Sequence, residues 1–299
     1  MRLDGLVVPA LTLFSADGEL DAGRNARFAR ELADARVDHL FVLGSAGEFP
    51  SITDAERARY LDAVVDSLPG RTDAWVGCGA PSTRQAVRFA SDAEGAGAAA
   101  VVAVPPYYLH PTPEAVDRYY RAIRAAVKIP LFAYNIPSLV GYALDPARLH
   151  ALARDGTLAG TKDTSGALGS VTSFLEGAPA GFAVFPGDDA LAAESIRRGA
   201  AGAVMGIANI VPKLCRELVG AARAGDWGPA AERQALVDRL VEVIRAGPFP
   251  SVDKFLAAEL RGVDVGYRAP YDPLSAVEER AVRARLDPLR DALRPFLSG

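Results

Sequence analysis

Short apolar runs alternate with helix-patterned stretches from the N-terminus to about residue 225, and this alternation restricts the fold more than any other feature. The runs cover residues 6–13, 37–43, 74–76, 99–104, 131–134, 158–161, 182–185 and 203–205. Each is nearly continuous in apolar residues, as expected of parallel strands covered on both faces. The helices between them carry start signals. Thr53 with Glu56 and Ser82 with Gln85 read as capping boxes, and Thr112-Pro113 and Asp145-Pro146 each join a cap to a proline at the first helical position. Tyr60, Leu61, Val64, Val65 and Leu68 then form one apolar face, as do Val116, Tyr120, Ile123 and Val127. Eight strand–helix units with right-handed crossovers favour an α/β fold of the closed (β/α)8 TIM barrel type over an open doubly wound sheet. No G-x-G-x-x-G turn opens a helix, which disfavours a dinucleotide site.

After Gly225 the pattern is helical only, over 229–246, 251–260 and 274–297, with turns at Gly247-Pro248 and 270–273. The expected organisation is a catalytic barrel over 1–225 and a C-terminal helical appendage over 226–299. The 299 residues suffice for a sizeable core, and the net charge of −4, with both signs interspersed, favours neither nucleic acid nor an anionic membrane as partner. Cys78 and Cys215 cannot form a disulfide framework, no signal-peptide pattern opens the chain, and no apolar run is long enough to span a bilayer. These features predict a soluble cytoplasmic protein.

In such barrels the chemistry sits at the C-terminal ends of the strands. Strand two ends in Gly44–Glu48, GSAGE, whose glycines permit a tight turn with N–H groups free for a carboxylate; it also reads as a plain connecting turn. Strand four leads into Pro105-Pro106-Tyr107-Tyr108, a pair of tyrosines suited to packing or to proton transfer. Strand five ends in Tyr134-Asn135-Ile136-Pro137 and strand six in Gly160–Gly166, GTKDTSG. Only four of the 33 basic residues are lysines, namely 128, 162, 213 and 254, so a lysine in an apolar setting asks for a role that arginine cannot fill. A desolvated amine attacks ketones to form an imine and a guanidinium does not. Lys162 therefore reads as a nucleophile, or else as the partner of Asp163 in a structural ion pair. Asp188 and Asp189 after strand seven suit either a helix cap or substrate hydroxyls, and Asn209 after strand eight suits a cap.

These motifs together resemble the dihydrodipicolinate synthase/N-acetylneuraminate lyase family. The likeness rests on GSAGE with Ile52-Thr53 and Glu56, PPYY, YNIP followed by Gly141, GTKDTSG, PGDDA and GAAGAVMGIAN, one per strand and in order over nearly the whole chain. The resemblance implies a homotetramer of barrels without metal or organic cofactor. It implies that Lys162 is the Schiff-base lysine, that Tyr134 assists imine formation and proton transfer, and that Ser45 and Tyr108 complete the proton relay, with Tyr108 reaching a neighbouring subunit. The backbone at Ser45 and Ala46 would cradle the pyruvate carboxylate, and Val204 would line the pyruvate moiety.

Departures narrow the substrate. Synthases of the lysine pathway carry an arginine two residues after the YN-x-P proline, where this chain has Leu139, so the carboxylate clamp for their aldehyde is missing. Ala46 stands where threonine is common. Thr164 adds a hydroxyl that, with Asp188, suits a sugar acid. The expected function is class I aldol cleavage of a 2-keto-3-deoxy sugar acid or 4-hydroxy-2-oxo acid to pyruvate and an aldehyde, through a covalent imine on Lys162. A family dehydratase using the same imine is the nearest rival, and dihydrodipicolinate synthesis is disfavoured by Leu139. A metal-dependent aldolase would need clustered ligands, whereas His39, His110 and His150 are scattered. A non-catalytic sensor of 2-oxo acids would not need the relay residues.

Overall fold

The computed structural model describes residues 3–297; the two outermost positions at each end of the expected ranges fall outside it. Eight strands form one parallel sheet: β1 (Gly5–Pro9), β2 (His39–Val42), β3 (Asp73–Gly77), β4 (Ala100–Ala103), β5 (Leu131–Asn135), β6 (Gly160–Asp163), β7 (Ala183–Pro186) and β8 (Gly202–Val204). Each of the first seven pairs with the next except β7, and β1 pairs with β8. The Ala201 N–H, just before β8, donates to the Val184 carbonyl of β7 at 3.0 Å and brings the ring close to closure. The strands are shorter than the apolar runs suggested at β1, because residues 10–13 leave the sheet, and two positions later at β6.

Side chains alternate across the strands and so build two cores. Val7, Phe41, Trp75, Val102, Phe132, Phe185 and Val204 fill the barrel interior. Leu6, Val8, Leu40, Val76, Val101, Val184 and Ala203 face outward against the helices. Trp75 stacks on Phe132 with ring centroids 4.5 Å apart, so the lower barrel is solid and leaves only the upper rim for chemistry.

The helix starts follow the sequence signals with two differences, at Ser82 and at Asn209. Thr53 and Glu56 form a reciprocal capping box at the helix Asp54–Ser67. Ser82 caps its helix by accepting from the Gln85 N–H, without the return bond. Thr112 and Asp145 cap as expected, each followed by proline. Asn209 is not a cap. It is buried, accepts from Leu11 N–H and donates to the Pro9 carbonyl, so it ties β8's exit to β1's.

The tail comprises the helices Trp227–Ile244, Ser251–Arg261 and Ala276–Leu286, followed by short turns rather than one continuous helix. The break falls at Asp287-Pro288, since proline cannot donate within a helix. Among the described residues no helix is long and apolar enough to cross a membrane. Cys78 and Cys215 are buried free thiols.

Candidate active site

Register places the central pair. Tyr134 on β5 is aligned with Lys162 on β6, and Lys162 with Phe185 on β7, so all three point into the barrel near its upper end. Lys162 is only 7 % exposed. Its Nζ lies 4.0 Å from the centroid of the Tyr134 ring and 5.2 Å from that of Phe41. Asp163, one residue on, faces the opposite side of the sheet. It accepts from Asn135 Nδ2 at 2.7 Å and from Ser165 Oγ at 2.9 Å, which excludes the alternative of a Lys162–Asp163 structural pair.

The Tyr134 hydroxyl is buried and 3.4 Å from Ser45 Oγ. Burial alone would raise its pKa, but the charge of Lys162 and hydrogen bonds with Lys162 and Ser45 outweigh burial and hold it below the ordinary phenol value. A hydroxyl so placed is suited to giving up and recovering a proton.

Gly187, just after β7, makes room for the lysine. A Cβ there would fall 2.1 Å from Thr164 Oγ1 and 2.6 Å from Lys162 Cε. Thr164 therefore packs beside Lys162, and its hydroxyl oxygen is buried without a well-formed hydrogen bond. Asp188 is used locally, accepting from the Ala190 N–H at 3.0 Å. Val204 is buried on β8 among the interior residues.

The turn after β2 is bracketed by two non-glycine residues in the left-handed region, Leu43 at φ 55 and Glu48 at φ 53. Such backbone persists only where surroundings hold it. Among the described residues no backbone carbonyl accepts from the N–H groups of Ser45 or Ala46, an arrangement able to bind a carboxylate. The turn is held from behind by the tail: Lys254 Nζ lies 2.5 Å from Glu48 Oε1 and donates to the Gly266 carbonyl at 2.8 Å. Burial pushes Glu48 up and Lys254 down, each partly countered by the other's charge. Arg268 grips Glu56 through two nitrogens and donates to the Ser51 carbonyl.

Tyr108 stands apart. It is 89 % exposed, at φ 74, and projects from the loop after β4 instead of joining Tyr134 and Ser45 on the rim of its own barrel. Two charged groups behind the rim, Lys254 and Asp253, belong to no motif of the sequence, and Asp189, a cap or hydroxyl-binding candidate there, turns to the Ile207 N–H instead. Lys254 was one of the four lysines, so its scarcity was an available signal. Asp189 and Asp253 are buried carboxyls behind the rim, Asp189 accepting from the Ile207 N–H at 3.3 Å and Asp253 keeping a buried oxygen without a partner. Burial, reinforced for Asp189 by the neighbouring acids, pushes both up to about 7.

A cavity of about 330 Å³ opens beside Ser45, lined also by Phe49, Tyr107, Ile136, Leu139, Val140, Phe249 and Tyr271. Among the described residues no group of three or more His, Cys, Asp or Glu is arranged to hold a metal.

The profile of the dihydrodipicolinate synthetase family matches residues 2–288. The chain belongs to that family. An uncharacterized DapA-like lyase of Halobacterium salinarum is 39% identical over 287 residues, covering 96% of this chain and 94% of the relative. A 4-hydroxy-tetrahydrodipicolinate synthase of Chlorobium luteolum is 31% identical, covering 96% and 97%. Among solved structures, YagE, a prophage protein of the dihydrodipicolinic acid synthase family from E. coli K12 in complex with pyruvate, superposes with a TM-score of 0.92 at 29% identity over 97% of this chain and 99% of that one. As a member of the dihydrodipicolinate synthetase family, the chain is a lyase of the class I aldolase type. Enzymes of this family work through a pyruvate-derived Schiff base on lysine and need no external cofactor.

Proposed function

We propose that the protein cleaves a 4-hydroxy-2-oxo acid, 2-keto-3-deoxy sugar acids included, to pyruvate and an aldehyde, with Lys162 as the nucleophile. The observation that carries this reading is the packing of the Lys162 amine 4.0 Å from the ring centroid of Tyr134, whose hydroxyl meets Ser45. The amine attacks C2 of the substrate, water leaves, and a protonated imine forms. Tyr134 takes the proton of the C4 hydroxyl as the C3–C4 bond breaks, and the bonding pair moves into the imine to give an enamine. The aldehyde departs. C3 then recovers a proton from Tyr134, and water hydrolyses the imine to release pyruvate and the free amine. Ser45 relays the proton, the N–H groups of Ser45 and Ala46 hold the substrate carboxylate, Val204 lines the pyruvate moiety, and Thr164 and Asp188 stand beside the substrate's hydroxyl side.

Leu139 occupies the position where a carboxylate clamp would serve dihydrodipicolinate synthesis, and it supports cleavage over that reaction. A homotetramer in which Tyr108 enters a neighbouring site accords with its exposure. A cytoplasmic setting accords with the two free thiols.

The test is to incubate the protein with pyruvate, reduce with borohydride and map the added mass. A mass on the peptide holding Lys162, absent in Lys162→Arg, is the expected result. No adduct, or one on Lys254, overturns the assignment. Release of pyruvate from the 2-oxo acid separates cleavage from loss of water.

A further inference from the structure

We infer that the aldehyde half of the substrate carries an apolar, preferably aromatic, group at the carbon that becomes the carbonyl. The inference rests on the aldolase reading and deepens it. The cavity beside Ser45 is where a substituent beyond C4 must go, because Ser45 both lines the cavity and contacts the Tyr134 hydroxyl. Its walls are Phe49 and Tyr107, which meet edge to face with centroids 6.0 Å apart, then Ile136, Leu139, Val140 and Phe249. Among the described residues no lysine, arginine or histidine lines it.

Two of these walls are costly to leave bare. Leu139 is 62 % exposed and Phe249 52 %, facing the same opening from opposite parts of the chain. A flat apolar group laid between them would cover both and gain from the aromatic edges. A polyhydroxylated chain would instead lose water from several hydroxyls with few partners to replace it. Besides the phenols of Tyr107 and Tyr271, the lining offers only the Ser45 hydroxyl, which already meets Tyr134, and Glu48, which is held by Lys254. A carboxylate-bearing aldehyde would find no cation and would lie near Glu48. Asp188, which takes the Ala190 N–H on Oδ1, does not line this cavity and so offers nothing to a chain placed there.

The reaction of such a substrate balances as above: one 4-substituted 4-hydroxy-2-oxo acid gives one pyruvate and one apolar aldehyde, with the water of imine formation returned at hydrolysis. The reverse direction gives the assay. Pyruvate is combined with benzaldehyde, hexanal, glyceraldehyde or succinic semialdehyde, and kcat/KM for each aldehyde is measured from the condensation product. Benzaldehyde and hexanal should exceed the other two by at least about tenfold, the scale on which a pocket distinguishes side groups. Leu139→Arg, a change at an exposed position, should reverse the order of benzaldehyde and succinic semialdehyde. If glyceraldehyde or succinic semialdehyde equals or exceeds the apolar aldehydes in the wild type, the inference is overturned. Borohydride trapping with pyruvate in the same samples separates the two failures. An adduct on Lys162 without apolar preference removes only the aldehyde assignment, and no adduct removes the aldolase reading together with it.

Discussion

The ammonium of Lys254 sits 2.5 Å from the Glu48 carboxylate, and neither side chain reaches solvent. The contact joins the tail helix Ser251–Arg261 to the turn that carries Ser45, so the geometry of the rim depends on residues about two hundred positions away in sequence. Lys254 is thereby bound to a structural task. It is the second buried lysine of the chain, but its ion pair and its bond to Gly266 leave Lys162 as the amine facing the barrel opening.

Breaking this pair from one side leaves an uncompensated buried charge, which costs about 3–5 kcal/mol. Lys254→Met is expected to lower stability by that amount in urea unfolding. The double variant Glu48→Gln with Lys254→Met should recover most of the loss. A double variant as unstable as the single one would show that the aliphatic packing of Lys254, not the charge, is what matters.

Replacing the Tyr134 hydroxyl tests its role in proton transfer. Tyr134→Phe keeps the ring against Lys162 and should leave the melting temperature within a few degrees of wild type. The cleavage rate should fall by about 10²–10⁴-fold, the usual contribution of a positioned acid–base group. Because the Lys162 charge and the hydrogen bonds hold the Tyr134 pKa below that of a free phenol, the wild-type rate should level off with rising pH below pH 10. The phenylalanine variant should lack that step.

At Gly187 the prediction concerns space. The added Cβ of Gly187→Ala would collide with Lys162 Cε and Thr164 Oγ1. The lysine must shift, so the rate of imine formation with pyruvate should drop by at least about tenfold even though the site lies on the surface of the core. Borohydride trapping over time reads this directly, and an unchanged trapping rate would mean that Lys162 reacts from another rotamer.

Asp253 gives a pH dependence whose sign is fixed. Its folded pKa of about 7 stands above the ordinary 3.8, so between those values the folded state holds a proton that the unfolded state has released. Stability is therefore lost as pH rises through this window. Asp253→Asn mimics the protonated acid, and its melting temperature minus that of wild type should grow from pH 4 to about pH 7 and then level. A difference that shrinks with pH would place a cation beside Asp253.

Much of this architecture was legible in the chain, for identifiable reasons. Parallel strands buried on both faces leave unbroken apolar runs, so all eight strands were visible, and caps such as Thr53 act through immediate neighbours. The sequence order alone puts Lys162, Tyr134 and Ser45 on one rim, because Tyr134 and Lys162 lie near the ends of β5 and β6 and Ser45 follows β2. What escaped depends on pairs distant in sequence. Nothing near Glu48 announces Lys254, and nothing near Asn209 announces its bonds to Leu11 and Pro9. Tyr108 sits beside Tyr107 in sequence, yet a left-handed backbone turns it outward. The apolar cavity was illegible for the same reason, since Leu139 and Phe249 meet only in the fold.

That meeting has a consequence for how substrate choice can change. In the proposed reaction Tyr134 and Lys162 stand on neighbouring strands, whereas the cavity is walled by barrel loops at Phe49, Tyr107 and 136–140 and closed by the tail positions Phe249, Pro250 and Tyr271. Recognition and chemistry are therefore separately heritable. A chimera that takes its sequence beyond residue 245 from a relative would exchange the Phe249–Pro250 and Tyr271 side of the cavity while keeping Lys162, provided the incoming segment brings a lysine to meet Glu48.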